Sequence, residues 1–220
     1  MTTPDYPEAT STTPARNRQR VSYDRSAVHA VLDEATVAHL GFVVDGRPVV
    51  LPQLYVRMGE TLYLHASSGA GVLRLLEQQP TPVCVTVTLV DGLVLARSAF
   101  NHSVNYRSVV VHGLASLVVD AEEKMAVLTA LVDAIVPGRP AGTRGPDRRE
   151  LAATAVLRLP IAEVSLKTRT GPPVDDEPDL ALPYWAGVLP IVRTPGVPVP
   201  AAELDPAIPL PEHVRSWTPC

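Results

Sequence analysis

The chain predicts a mainly β fold, a small antiparallel β-barrel with flanking helices. Three observations carry that expectation. Runs rich in Val, Leu and Thr follow a period of two and are separated by tight-turn signals such as Asp45-Gly46 and Asp91-Gly92. Helical spacing is confined to three stretches. Proline, 23 of 220 residues, is unevenly placed, with 3 in residues 1–20, 8 in 21–170 and 12 in 171–220. Proline lacks an amide donor and fixes φ, so the C-terminal part cannot be a run of helices or central strands. The expected organisation is a mobile N-terminal arm (1–20), one barrel domain (21–170) and a Pro-rich C-terminal extension (171–220).

Taken in order, Asp24 is the expected N-cap of a first helix, with Val28, Val31, Leu32 and Ala35 at helical spacing as far as Leu40 and Gly41. Strands follow at 40–45, 48–57 and 61–66, joined by Asp45-Gly46 and Met58-Gly59-Glu60. A glycine-containing loop at 67–71 leads into a short helix through Leu73, Leu75 and Leu76, stopped near Pro80. Strands resume at 83–89, turn at Asp91-Gly92 and continue over 93–98. A long β-branched run at 106–119 is broken by Gly113, read as a bulge. Met125, Leu128, Leu131, Val132 and Ile135 mark a helix over 121–136, ended by Pro137-Gly138. After a polar loop at 138–149, strands at 153–159 and 162–168 bring the total to seven or eight, and closure removes their edges.

Composition excludes several classes. Hydrophobic residues make up 46%, enough for a sizeable core, and the net charge is −4. No basic stripe extends beyond Arg16, Arg18 and Arg20, so no nucleic-acid partner is expected. No stretch is long and apolar enough for a membrane helix, and the polar, Thr/Pro-rich first twenty residues do not resemble a secretory signal. Cys84 and Cys220 form neither a disulfide framework nor a metal site, and the cytoplasm is the expected compartment.

Searches for a Walker A loop, a nucleophile elbow, His-Glu-x-x-His or paired Cys-x-x-Cys return nothing. The run Ser67-Ser68-Gly69-Ala70-Gly71-Val72-Leu73-Arg74 has Arg74 where a dinucleotide fingerprint needs its third glycine, and it follows an antiparallel strand. It reads in two ways: as a phosphate cradle of amides, Ser67 and Ser68 hydroxyls and Arg74, or as a flexible turn whose serines cap a helix. In 101–108, from Asn101 to Ser108, every residue but Val104 has a hydrogen-bonding side chain. Polar groups entering a barrel wall must be satisfied by a ligand or by each other, so Asn105, Tyr106, Arg107 and Ser108 are either cofactor contacts or a solvated loop with Arg107 paired to a carboxylate. His29, His39, His112 and His213 stand singly as structural or surface residues, and Asp175-Asp176-Glu177 with Asp179 reads as a solvated acidic loop with no metal.

Several motifs carry a family resemblance. They are Tyr23-Asp24-Arg25, Gly41-Phe42-Val43-Val44-Asp45-Gly46, Leu62-Tyr63-Leu64-His65-Ala66-Ser67 and Val94-Leu95-Ala96-Arg97-Ser98-Ala99-Phe100. The most specific runs from His102-Ser103-Val104-Asn105-Tyr106-Arg107-Ser108 to His112-Gly113, and two more lie at Lys167-Thr168-Arg169-Thr170-Gly171-Pro172-Pro173-Val174-Asp175-Asp176 and Tyr184-Trp185-Ala186-Gly187-Val188-Leu189-Pro190. Together they resemble the pyridoxamine 5′-phosphate oxidase-like flavin-binding split-barrel family, in the branch of the nitroimidazole-resistance reductases, over residues 21–195.

The resemblance implies a six-stranded antiparallel split barrel that forms a homodimer, with FMN in each of two clefts between subunits. It places the flavin ring along 50–54 with Gln53 at its edge, and His65, Ser67, Ser68 and Arg74 along the ribityl chain and phosphate. Hydrogen bonds come from Asn105, Tyr106, Arg107 and Ser108, and His65 is the residue tied to activity. The extension becomes a strap with Trp185 as lid or anchor, extended and mobile only after Pro195. One departure is Gly71, where the family usually carries Arg or Lys in the phosphate loop; Arg74 is the substitute within reach. The leading expectation is an FMN-dependent oxidoreductase acting on a small organic molecule. The departure keeps open another flavin or a deazaflavin, a heme-binding split barrel with His65 or His102 as axial ligand, and a non-catalytic cofactor- or ligand-binding dimer.

Overall fold

The computed structural model describes residues 5–13, 16–67, 76 and 79–218. Among them are nine strands, in a mainly antiparallel arrangement: β1 (Val21–Ser22), β2 (Val37–Val44), β3 (Arg47–Met58), β4 (Thr61–Ser67), β5 (Thr81–Leu95), β6 (Ser103–Leu117), β7 (Thr154–Pro160), β8 (Glu163–Arg169) and β9 (Gly187–Pro190). The helices are α1 (Arg25–Glu34), α2 (Ala121–Ile135), α3 (Arg148–Ala153) and α4 (Glu212–Arg215). The mainly β class is as the pattern predicts, while the strand number differs from both expected values. The extra strands, β1 and β9, are too short to show a period. The expected helix near Leu73 falls outside the described residues.

The chain divides into two compact units, one of Met1–Ala35, Cys84–His112 and Ala162–Val192, the other of Thr36–Val83, Gly113–Ile161 and Arg193–Cys220. In the first unit, β8 pairs with β1 (Val21↔Lys167) and with β6 (Tyr106↔Arg169 to His112↔Glu163), and β9 pairs with β5 (Gly92↔Pro190). Its core is Val28, Val31 and Leu32 of α1 with Val85, Val87, Val109, Val111 and Val164. The Asp24 carboxylate accepts the Ala27 amide at 2.6 Å, as an N-cap should. The helix stops at Glu34 rather than Leu40, because Val37 to Val44 alternate exposed and buried and are claimed by a sheet.

Part of the N-terminal arm is in contact with the first unit. Tyr6 is 4% exposed, its hydroxyl lies 2.8 Å from His29 Nε2, its amide donates to the Tyr23 carbonyl at 3.0 Å, and Arg25 stacks over its ring at 4.1 Å. Ser11 donates to Glu163 at 2.6 Å. One buried aromatic in a polar run leaves no periodic trace, and these contacts are not legible in the sequence.

Asp91-Gly92 is not a hairpin. β5 runs through it, and its buried positions change from odd (Val85, Val87, Leu89) to even (Gly92, Val94), the parity change that one extra residue introduces. A Cβ on Gly92 would stand 3.1 Å from the Leu189 carbonyl oxygen and from Val188 Cγ1, so the glycine serves close approach of β9.

In the second unit, β3 pairs with β2 and then β4, β4 with β7, and β7 with the end of β6 (Leu117↔Leu157). The β2–β3 turn is the expected one, with Asp45 and Gly46 at φ 49° and 74°. Gly113 marks where β6 leaves β8, and a Cβ there would lie 2.9 Å from Leu159 Cδ1. Val127 and Leu131 of α2 pack on Val118 and Val156. The expected polar loop ends in α3, whose Asp147 and Glu150 form a reciprocal capping box. Among the described residues no helix is long and apolar enough to cross a membrane.

Candidate functional site

The singled-out residues fall into two sets, one in each unit. In the second unit, β3 changes neighbour between Leu54, which faces Val37 of β2, and Tyr55, which faces Leu64 of β4. Gln53, half-buried opposite Ala38, lies just before that change. On β4, Leu62, Leu64 and Ala66 are buried, while Thr61, Tyr63 and His65 line the other, half-buried face. His65 lies opposite Val156 and the Ser67 backbone opposite Thr154. The Ser67 side chain, Ser68, Gly71 and Arg74 lie outside the described residues, and with them the expected phosphate cradle.

His65 Nδ1 is buried and has no hydrogen-bond partner among the described residues. A buried ring nitrogen without a partner costs about 1–3 kcal/mol whether it carries the proton or the lone pair, so Nδ1 is a position that a bound group would satisfy.

In the first unit the polar run from His102 to Ser108 leads into β6, and His102, Asn105, Arg107 and Ser108 find their partners elsewhere in the same unit. Arg107 uses four of its five donors on two carboxylates: Nε and Nη2 on Asp91 at 3.0 and 2.8 Å, Nη2 on Glu34 Oε1 at 2.8 Å, and Nη1 on Glu34 Oε2. Those bonds, from Glu34 first and then Asp91, hold its guanidinium above its ordinary pKa. Ser108 donates to the Val87 carbonyl and meets Thr88 Oγ1, both at 3.0 Å. Asn105, 8% exposed, donates to the Gly171 carbonyl at 3.2 Å and accepts from Arg169 Nη1. Tyr106 is half-buried opposite Arg169.

His102 differs from its neighbours. It is exposed, and its Nδ1 lies 2.9 Å from the Ser98 carbonyl oxygen. A carbonyl only accepts, so Nδ1 carries the proton and Nε2 keeps an outward lone pair, the arrangement of a metal-ligating imidazole. Phe100, in the same turn, is 92% exposed. Arg97 Nε and Asn101 Nδ2 of this turn are buried without partners among the described residues, a cost that calls for a functional reason.

Three residues have roles the sequence did not reveal. Arg169, 7% exposed, holds the Gly171 and Pro172 carbonyls at 2.9 and 3.0 Å, and burial, with Arg20 nearby, draws its guanidinium below its ordinary pKa. Asp175 belongs to no solvated loop: its side chain is 1% exposed and takes the Arg97 amide and Nη1, each at 2.8 Å. Burial pushes its carboxyl up, but the Arg97 amide, the Arg97 guanidinium and the Ser98 amide outweigh it and hold it below the usual value. Arg97 is the third. The resemblance had marked both it and Asp175 without pairing them.

The sequence profile of the pyridoxamine 5′-phosphate oxidase family matches residues 24–168. Two solved structures match nearly end to end. The flavocytochrome Anf3 from Azotobacter vinelandii is 41% identical, with TM-score 0.89, over 96% of this chain and 99% of that one. The FAD and heme binding protein from Mycobacterium smegmatis is 38% identical, with TM-score 0.85, over 91% and 98%. A candidate 5-nitroimidazole antibiotic resistance protein from Bacteroides thetaiotaomicron shares the fold at 22% identity, with TM-score 0.56, over 67% and 85%. A search of the curated proteins finds no match.

Proposed function

Since the chain belongs to the pyridoxamine 5′-phosphate oxidase family, we propose that it is an oxidoreductase that binds a flavin and a heme together and acts on a small organic molecule as a homodimer. Flavin and heme, separate alternatives in the sequence, are companions in this reading. The observation that carries it is the contrast between His65, whose Nδ1 is buried without a partner among the described residues, and His102, whose Nδ1 is taken by a backbone carbonyl. A flavin ring offers both donors and acceptors, which would satisfy the His65 imidazole, whereas ferric or ferrous iron needs a lone pair, which suits His102 Nε2. The two nearly full-length relatives support the combination, one named a flavocytochrome and the other FAD- and heme-binding. The second name favours FAD over the FMN that the resemblance implies.

When bound, the flavin supplies hydride or single-electron transfer and the heme single-electron transfer. The chain's own residues do the rest. His65 orients a flavin or substrate group through its ring, with Gln53 as a further half-buried polar group of the same unit available to a cofactor. His102 presents Nε2 from a short turn fixed by the Ser98 carbonyl. Arg107, Ser108 and Asn105 shape the wall that carries them, since their polar atoms are engaged within the protein. A cytoplasmic setting is part of the same proposal.

Titration with hemin and with FAD separates the two roles. His102→Ala should weaken hemin by about tenfold or more and leave FAD within about twofold, and His65→Phe should do the reverse. Wild-type hemin affinity in His102→Ala would remove the assignment.

A further inference from the structure

The turn that presents His102 is held from the C-terminal extension. Its hub is Ser98, whose carbonyl accepts both His102 Nδ1–H at 2.9 Å and the Asn101 amide at 3.3 Å. Its hydroxyl oxygen also accepts the Asn101 amide, at 3.3 Å. Asp175 grips the residues just before this hub, taking the Arg97 amide on Oδ1 and Arg97 Nη1 on Oδ2, both at 2.8 Å, with the Ser98 amide also directed at the carboxylate. The Asp175 side chain is 1% exposed against 27% for Arg97, so the carboxylate is the buried and fixed member of the pair.

The extension is itself fastened where it starts. Gly171, at φ 94°, makes a turn that a side chain would strain, and Arg169 and Asn105 hold the carbonyls of that turn. The path from the fastened turn to the imidazole therefore runs Gly171, Asp175, Arg97, Ser98, His102. Its neighbour Asp176 is exposed and caps the helical turn Glu177–Ala181 without a side-chain hydrogen bond.

We infer that Asp175 is a positioning residue for His102: by fixing the backbone at Arg97 and Ser98 it aims the Ser98 carbonyl, which holds the imidazole in the Nδ1–H tautomer with Nε2 free to ligate. The inference rests on the reading of His102 as the iron ligand. A backbone carbonyl can set a tautomer only while it stays in place. A carboxylate that takes the Arg97 amide and the Arg97 guanidinium together fixes the backbone that leads into the Ser98 carbonyl. Loss of the group that directly holds a ligating imidazole, here the Ser98 carbonyl, typically changes metal affinity by about ten- to a hundredfold, and Asp175 acts through that carbonyl.

The test uses the full chain and two readouts. The first is the ¹⁵N chemical shift of the His102 ring in heme-free protein, which reports the tautomer. The second is hemin titration followed by optical absorption. Asp175→Ala should give a mixed His102 tautomer and about tenfold weaker hemin binding with an altered spectrum. Asp176→Ala should match wild type in both. Should Asp175→Ala fail to fold, the isosteric Asp175→Asn, which keeps an acceptor but loses the ion pair, should shift the tautomer in the same direction. A wild-type tautomer in the Asp175 variants overturns the inference whatever hemin does. Wild-type hemin binding in a His102→Ala control instead removes the ligand reading, and the tautomer measurement still decides the positioning role.

Discussion

Arg107 holds Asp91 side-on, Nε donating to Oδ2 at 3.0 Å and Nη2 to Oδ1 at 2.8 Å. The same guanidinium closes on Glu34, the last residue of α1, so one side chain ties the first helix, β5 and β6 of the first unit. Side chains in this cluster are 25–34% exposed, which makes it more than a surface pair and less than a buried triad.

Arg107→Ala leaves two carboxylates facing each other and should cost about 2 kcal/mol, or roughly 5 °C in Tm. Thermal melting of wild type and variant measures it. A variant that melts like wild type but loses flavin would instead return Arg107 to the cofactor role that the resemblance implies.

Gly92→Ala should loosen β9. The new Cβ meets backbone at Leu189 O and side chain at Val188 Cγ1, each at 3.1 Å, and a cost of about 1–3 kcal/mol is expected. Faster exchange at the Ile191 amide, which bonds the Asp91 carbonyl at 3.0 Å, is the direct readout. Unchanged protection would mean that β9 shifts without cost.

Tyr6→Phe keeps the stacking on Arg25 and removes the hydroxyl that meets His29, so urea denaturation should show about 1 kcal/mol lost. Tyr6→Ala should cost about 3 kcal/mol. A neutral Tyr6→Ala would return residues 5–13 to the status of a free arm.

Acid should fray α3 before the rest. The Arg144 guanidinium and then the Asp147 amide hold the Glu150 carboxyl at about 2 against an ordinary 4.5. A depressed folded-state value means that the cap contributes fully above the ordinary value and is lost as pH falls from there toward 2. Amide exchange at Arg149 to Leu151 should accelerate across that window, and Arg144→Gln should move the onset to higher pH. An onset unmoved by Arg144→Gln would contradict the ion pair's part in it.

What the sequence made legible and what it hid differ in kind. Asp45-Gly46 was readable because a two-residue turn with positive φ has a narrow residue vocabulary. Asp91-Gly92 uses the same letters for a different end, a carboxylate for Arg107 and a missing side chain for β9, and no local rule separates the two uses. His65 and His102 could be named from a resemblance, but what their ring nitrogens meet, nothing among the described residues at the buried Nδ1 of His65 and a carbonyl at Nδ1 of His102, depends on the folded chain. Asp175 looked like a solvated acid because its partner, Arg97, is 78 residues away in the chain. Pairings of that range are fixed by topology and leave no periodic signal.

The central claim is that one chain holds flavin and heme at once, and the absorption spectrum of the purified protein, followed by identification of the cofactors released by acid, tests it most directly. The account predicts flavin bands beneath an intense Soret band, with FAD and heme released in comparable amounts and the Soret band lost in His102→Ala. A protein that carries flavin alone and takes up no hemin, or one that stays colourless after incubation with both, would contradict it.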